Sequence, residues 1–393
     1  MRVDLLDPPS YSRPYDHALA SALARHGAQV QLLTSPFKYS ETPTPDGYTA
    51  VEMFHRDFQA APKPARKGGI SGRQADAMKR LLADSARLRA YASDLARATA
   101  DAPDIVHTQW LGLPGRDLRT LAKISRTRVG TVLTIHDPLT TYPVVGLRKP
   151  DPRGVDAVIV HTEYGRDCVV DRYGLDPAKV HVVPHGVLKL APAGELPREL
   201  SAPSARDRLR DATMAEWPTV VLYFGLIRPY KGVETLLAAW RQIAADRDAE
   251  LWVVGAPSFD ISTLRAQAPD TVRFVPRFVT PQEEAAIYAR TDVCVLPYER
   301  SARFGFSGVL ATALGADKPI VMTDRPGLNE VGDAALLVEP GNPDALAAGI
   351  DLMLTDPAAR ARFAAAASAA AQGRYSWERA ADATLAVYEQ VRK

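Results

Sequence analysis

The sequence predicts an α/β protein made of two similar, open, parallel-sheet domains of Rossmann-like kind. Three observations carry that expectation: a length of 393 residues, short β-branched runs that alternate with helical patterns along the chain, and a polar, proline-rich break near its middle. At roughly 100 to 200 residues per domain such a length suits two or three domains. Alternation of this kind marks parallel sheets covered by helices.

In the first half the strand candidates are Val3 to Leu6, Gln29 to Thr34, Ile105 to Thr108, Gly130 to Ile135, Ala157 to His161 and Lys179 to Pro184. Between the first two, Pro14 to Gly27 has apolar residues at helical spacing and closes on glycine, a usual helix C-terminal signal, which completes one βαβ unit. Arg73 to Ala100 reads as an Arg-rich amphipathic helix. Its acidic residues Asp76, Asp84 and Asp94 dilute the charge and favour a solvated face over contact with a membrane.

From Lys189 to Pro218 the rhythm stops, with Pro192, Pro197, Pro203 and a charged run around Arg206 to Asp211. Burying so many prolines and charges would strand backbone and ionic groups, so this stretch is read as the connector. Strand candidates resume at Thr219 to Phe224, Glu250 to Val254, Val272 to Val275, Val293 to Leu296, Pro319 to Thr323 and Ala335 to Val338, and the Ala-rich Pro357 to Gly373 is a closely packed helix. Six strands per half imply two domains, 1–188 and 216–372, joined by a linker at 189–215 and facing each other across a cleft. Ligands of such sheets bind beyond the carboxyl ends of the strands.

Composition removes several classes of function. With 46% hydrophobic and 24% charged residues, disorder and fibrous repeats are out, and 48 Lys plus Arg against 46 Asp plus Glu (net +2) provide no general field for nucleic acid. Cys168 and Cys294 are the two cysteines, each in an apolar stretch, and no C-x-x-C occurs, which fits a reducing compartment and no thiolate zinc site. The N-terminal residues lack a long apolar segment, and no apolar run approaches the length of a membrane span, so a soluble cytoplasmic protein is expected.

Two strand-to-helix junctions in the second half suit a diphosphate. In Val221-Leu-Tyr-Phe-Gly225-Leu-Ile-Arg228-Pro-Tyr-Lys231-Gly232 a buried strand ends at Gly225, a short loop offers two cations, and a helix starts near Gly232. Arg228 would grip a phosphate in a forked geometry and Lys231 as a point charge, where a solvated surface pair is the plainer alternative. After Val293-Cys-Val-Leu-Pro297-Tyr298, a polar loop leads to Ser307-Gly308-Val309-Leu310, where Ser307 is a good N-cap and a phosphate would meet free amides and the helix dipole.

At these residues the sequence resembles the family 4 glycosyltransferases, retaining enzymes of GT-B type. The resemblance spans nearly the whole chain: Asp156-Ala-Val-Ile-Val-His161-Thr-Glu, Val182-Val-Pro184-His185-Gly186-Val187, the Gly225 to Gly232 segment, Leu251-Trp-Val-Val-Gly255, Pro297-Tyr298 through Pro319-Ile-Val-Met-Thr323, Pro326-Gly-Leu-Asn-Glu330, and Tyr375-Ser-Trp377-Glu378. It implies a C-terminal domain that holds a nucleotide-sugar, with Arg228 and Lys231 neutralising its diphosphate and acting as the leading catalytic residues. It further implies phosphate contacts from the amides after Ser307, a base flanked by the loop with Arg277 and Phe278, and His136 near the donor sugar. Asp137 would orient His136 or an acceptor hydroxyl, or simply form a turn. A helix within 373–393 is expected to cross back to the N-terminal domain, which binds the acceptor.

Retention has the acceptor hydroxyl attack the face that the diphosphate leaves, so cations and amides at the leaving oxygen stabilise the transition state and the phosphate itself takes the proton. The expected reaction is transfer of a hexose-type sugar from a nucleoside diphosphate, UDP preferred, to an unidentified small-molecule, glycan or lipid hydroxyl, without cofactor or catalytic metal.

Two departures from the family stand out. The E-x7-E positions fall on Phe304 and Thr312, with Glu299 and Arg303 as nearby candidates to replace the lost carboxylates. The loop Asp7 to His17 lacks the family's glycine pair, and its Tyr11, Tyr15, Asp16 and His17 suggest a stiffer, aromatic-lined acceptor or sugar site. Asp246-Arg247-Asp248 has the D-x-D form of metal-dependent transferases but the composition of a turn. His107, His161, His181 and His185 lack metal-ligand spacing and are read as structural hydrogen bonders. Two rivals keep the fold: a pseudo-glycosyltransferase or epimerase-like enzyme on an activated cyclitol or sugar, and a catalytically silent nucleotide-sugar binder.

Overall fold

In a computed structural model, residues 1–37, 42–54, 72–97, 102–138, 150–201, 218–300 and 305–393 are described. The chain forms two compact units, Met1–Gly186 with Trp377–Lys393, and Val187–Ser376.

Unit 1 starts with β1 (Arg2–Asp7), α1 (Arg13–Arg25) and β2 (Gln29–Thr34). Pro14 suits the first turn of α1, and Gly27, at φ +88°, turns the chain into β2. There follow β3 (Thr49–Glu52), α2 (Gly72–Arg97), β4 (Ile105–Thr108), α3 (Pro114–Ile124), β5 (Gly130–Thr134), β6 (Ala157–Val160), α4 (Glu163–Tyr173) and β7 (Val180–Val182). They make a seven-stranded sheet in the order β3-β2-β1-β4-β5-β6-β7, whose pairs are all parallel. The six strands expected in this half are present and β3 is a seventh. Its sequence, Thr-Ala-Val-Glu, is largely exposed at the sheet edge, where main-chain bonding to β2 suffices and no apolar alternation is needed.

Unit 2 comprises α5 (Arg198–Ser201), β8 (Thr219–Phe224), α6 (Val233–Ile243), β9 (Ala249–Val254), α7 (Ser262–Ala266), β10 (Val272–Val275), α8 (Pro281–Arg290), β11 (Val293–Leu296), α9 (Gly308–Gly315), β12 (Ile320–Thr323), β13 (Leu336–Val338), α10 (Pro343–Thr355) and α11 (Pro357–Gln372). Its parallel sheet has the order β10-β9-β8-β11-β12-β13. Successive residues of β8 serve opposite layers: Val220 and Leu222 pack with Leu310 and Leu314 of α9, Val221 and Tyr223 with Leu236 and Trp240 of α6. Both faces are covered, which is why these strands read as continuous apolar runs.

Of the stretch read as a connector, residues 202–217 lie outside those described, while Leu190, Leu196 and Leu200 pack on the core of unit 2. Asp246 to Asp248 forms the turn between α6 and β9, with Arg247 Nε 2.6 Å from Asp351.

After unit 2 the chain returns to unit 1 as α12 (Trp377–Val391), which packs on α1 and β5. Trp377 lies against Gly186, where any Cβ would meet the indole, and the buried Tyr388 hydroxyl is 2.6 Å from His107 Nδ1. Burying an apolar side chain contributes on the order of 2 kcal/mol, so Val387, Ala381 and the two aromatics make α12 part of the unit 1 core.

Candidate active site

In each sheet the strand order reverses once, between β1 and β4 in unit 1 and between β8 and β11 in unit 2. Ligands of open α/β sheets bind beyond the strand C-termini at such a point, and each unit places its polar constellation there.

In unit 2, Gly225 follows β8 at φ +110° and donates its amide to Val254. Gly255 presses on the Gly225 carbonyl so closely that a Cβ on Gly255 would overlap its oxygen. Arg228 opens a single 3₁₀ turn, Pro229–Lys231, and Gly232, at φ +73°, begins α6 against the carbonyl of Pro297. The loop after β8 is thereby locked to the end of β11, the strand on the other side of the reversal.

That lock sets the two cations differently. Arg228 is exposed, with Nη1 3.3 Å from the Tyr230 hydroxyl. Lys231 is 8% exposed; its Nζ donates to Tyr298 Oη at 2.8 Å and stands 4.0 Å from the centre of that ring. Burial disfavours the ammonium and pushes the Lys231 pKa down to about 8, although nearby Tyr230 opposes the shift. Tyr298 Oη lies 2.9 Å from Ser307 Oγ, and Ser307 caps α9 by accepting the Leu310 amide. The amides of Gly308 and Val309 stand at the open end of that helix, with Val309 packed against Gly225. Gly225, Lys231, Ser307, Gly308, Val309 and Leu310 are thus brought together.

Other expected donor residues stand in structural roles. Arg277 is clamped by Glu199 (3.1 Å) and Glu283 (2.7 Å), which raises its pKa further and holds Glu283 down to about 2. Phe278 beside it projects into solvent, 59% exposed. Glu299 Oε1 accepts from Thr235 Oγ1 at 2.6 Å and sits at the start of α6, close to Gly232. Thr312 is buried and returns its hydroxyl to the Gly308 carbonyl at 3.1 Å. Phe304 and Arg303 lie outside the described residues.

In unit 1, His107, His136, His161 and His185 follow or end β4 to β7 and gather into one group with Tyr15. His161 Nδ1 donates to the Val183 carbonyl at 2.9 Å, so its Nε2 accepts from His136 Nδ1, also at 2.9 Å. His136 lies 3.0 Å from the Gln109 carboxamide and stacks on Trp110 at 4.6 Å. Burial, reinforced by mutual repulsion, lowers His107 and His185 to about 3 and holds His136 well below its usual value; burial alone lowers His161 to about 4. The rings are therefore neutral at physiological pH. Among the described residues no group of three or more His, Cys, Asp or Glu side chains is placed to hold a metal ion. Taken singly in the sequence, His107, His161 and His185 were legible as hydrogen bonders. Their convergence was not, because it depends on strand order.

The loop after β1 places its residues unequally. Tyr11 is exposed and meets Trp110 edge-on, and His17 is bonded to the Tyr48 hydroxyl at 3.0 Å. Tyr15 and Asp16 are buried instead of lining an open surface. Asp16 faces Asp7 at the end of β1; burial raises Asp7 to about 6 and, joined by their mutual repulsion, raises Asp16 too, so the pair holds a proton more readily than free carboxylates. Asp137 is half-buried next to His136.

Two Rossmann-like parallel-sheet units in one chain are the architecture of the GT-B glycosyltransferases. Residues 15–187 match the model of Glycosyltransferase Family 4 and residues 218–356 that of Glycosyl transferases group 1; the chain belongs to this family. It is 28% identical to a D-inositol 3-phosphate glycosyltransferase of Kineococcus radiotolerans, over 95% of this chain and 88% of that protein. Its fold is similar to a sucrose-phosphate synthase from Thermosynechococcus elongatus (TM-score 0.66, 19% identity, 99% and 98% of the two chains). It is also similar to Anabaena HepE in complex with UDP-glucose (TM-score 0.61, 18% identity, 100% and 98% of the two chains). No helix among the described residues is long and apolar enough to cross a membrane.

Proposed function

We propose that the protein transfers a sugar, with retention at the anomeric carbon, from a nucleoside diphosphate, UDP preferred, to a hydroxyl acceptor. The observation that carries this reading is the buried Lys231 beside the capped N-terminus of α9 at the strand reversal of unit 2. A cation already desolvated and amides already aligned gain most when charge develops on a leaving phosphate. Arg228, exposed on the same turn, closes on the diphosphate as a second cation. These fixed positive groups serve where other transferases use a divalent ion, so the reaction runs without metal.

The remaining roles follow. Arg277 and Phe278 border the base, and Glu299 supplies the carboxylate that Phe304 and Thr312 do not. In unit 1, His136 is the residue on the side of the transferred sugar, and Tyr11, His17 and Asp137 form the acceptor side on a base of buried Tyr15 and Asp16. The cytoplasm, with both thiols unpaired, is the expected compartment.

Calorimetric titration with UDP, GDP, ADP and dTDP, without added metal, should show selective binding of one diphosphate. Arg228→Ala and Lys231→Ala should each weaken that binding about tenfold and lower turnover about 10²- to 10³-fold. Unchanged turnover in either variant, or turnover abolished by a chelator, would defeat the assignment. D-inositol 3-phosphate, the compound in the relative's name, is the first acceptor to try.

A further inference from the structure

The geometry points to Tyr298 as a positioning residue of the donor site: its phenol ties the Lys231 ammonium to the Ser307 hydroxyl and holds cation and helix end at one fixed spacing. The inference rests on the reading of Lys231 and α9 as the phosphate grip.

Tyr298 stands two residues beyond β11 and is 1% exposed. Its backbone is fixed as well, since its carbonyl accepts from Thr323 Oγ1 at 2.7 Å. An ammonium has only donors, so Tyr298 Oη accepts from Lys231 at 2.8 Å, and the same oxygen is hydrogen-bonded to Ser307 Oγ, 2.9 Å away, where either hydroxyl can donate. Ser307 Oγ also accepts from the Leu310 amide at 3.4 Å. A positive end is thus linked through two hydroxyls to the first turn of α9.

Lys231 comes from the turn after β8, and Ser307 stands ten residues beyond Pro297 at the close of a polar loop. The phenol bridges them, and its ring face offers the desolvated ammonium a second favourable contact. Among the described residues, Arg228 and Tyr230 from its own turn and Tyr298 beyond β11 bear on Lys231, and Tyr223 of β8 in turn faces Tyr298 and Tyr230. Loss of the phenol oxygen would leave the ammonium buried among these with one acceptor fewer, so it would lose its proton at lower pH.

The test is UDP affinity from pH 6 to 9.5 for the wild type, Tyr298→Phe, Lys231→Ala and the double variant. Tyr298→Phe keeps the ring and should weaken UDP about tenfold at pH 7.5. It should also shift the alkaline loss of binding, which begins near pH 8 in the wild type, about one unit downward. In the Lys231→Ala background the same change should cost less than about twofold. An unshifted limb, or an equal loss in both backgrounds, overturns the positioning role. Should Tyr298→Phe fail to fold, Ser307→Ala cuts the chain at its far end; it should weaken UDP about threefold more in the wild type than in the Lys231→Ala background, where only the lost cap of α9 is felt, and an equal loss in both backgrounds overturns the role. If Lys231→Ala binds UDP as the wild type does, the phosphate reading itself fails, a result distinct from full additivity of two damaging changes.

Discussion

Replacing Gly232 by alanine is expected to abolish both the stability of the donor site and its activity. The residue has φ +73°, a conformation that costs an L side chain about 1 kcal/mol. The added methyl would also overlap the Pro297 carbonyl oxygen and come within 2.8 Å of its carbon. Its neighbour is backbone and cannot swing aside, so the loop after β8 must lift from the end of β11 and carry Lys231 off Tyr298. Unit 2 should lose about 3 kcal/mol or more, and turnover should fall below about 1% of wild type. Gly174, at φ +60° after α4 with nothing within 4 Å, is the control. Its alanine variant should lose only about 1 kcal/mol and keep full activity. Equal thermal melts for the two variants would refute the packing argument.

Acid should weaken unit 1 through its buried imidazoles. His107, His161 and His185 are held at about 3 to 4 in the folded state, against about 6.5 when unfolded. As pH falls through 6.5 the unfolded chain takes up protons that the folded one refuses, and stability drops. Asp7 and Asp16 act in the opposite sense: their folded pKa values are raised, that of Asp7 to about 6, so the folded state holds protons that the unfolded chain takes up only near pH 4. Three imidazoles against two carboxylates leave at least one net proton, or about 1.4 kcal/mol per pH unit. Below about pH 4 the folded imidazoles take up protons as well, which offsets the protonation of the unfolded carboxylates, and the decline should level off. From pH 6 to 4 the melting temperature of unit 1 should fall about 6 to 12 °C. Peptide-resolved hydrogen exchange, corrected for intrinsic rates, should place the loss in unit 1; an equal loss in both units would contradict it.

Much of the fold was legible because it rests on local pattern. Buried parallel strands such as Val293–Leu296 are apolar runs whatever their neighbours, and Ser307 announced α9 by its capping chemistry. β3 was hidden because an exposed edge strand has no such pattern. At the site, Arg228 and Lys231 were visible as a pair but their inequality was not, since burial of Lys231 comes from Tyr298, 67 residues onward. The clamping of Arg277 by Glu199 and Glu283 was likewise out of reach, because Glu199 comes from a segment read as connector.

Unit 2 is an insertion in unit 1, and this bears on the order in which a ribosome can deliver a finished protein. Residues 187–376 emerge as one continuous stretch, so that core can close while the chain is still being made. The first core cannot. Until Trp377 and Tyr388 arrive, Gly186 and His107 lack the aromatic partners that cover them, and the nascent N-terminal half exposes an unfinished apolar surface. The earliest residues synthesised are therefore among the last to be sealed, and it is there that a chaperone would have work during translation.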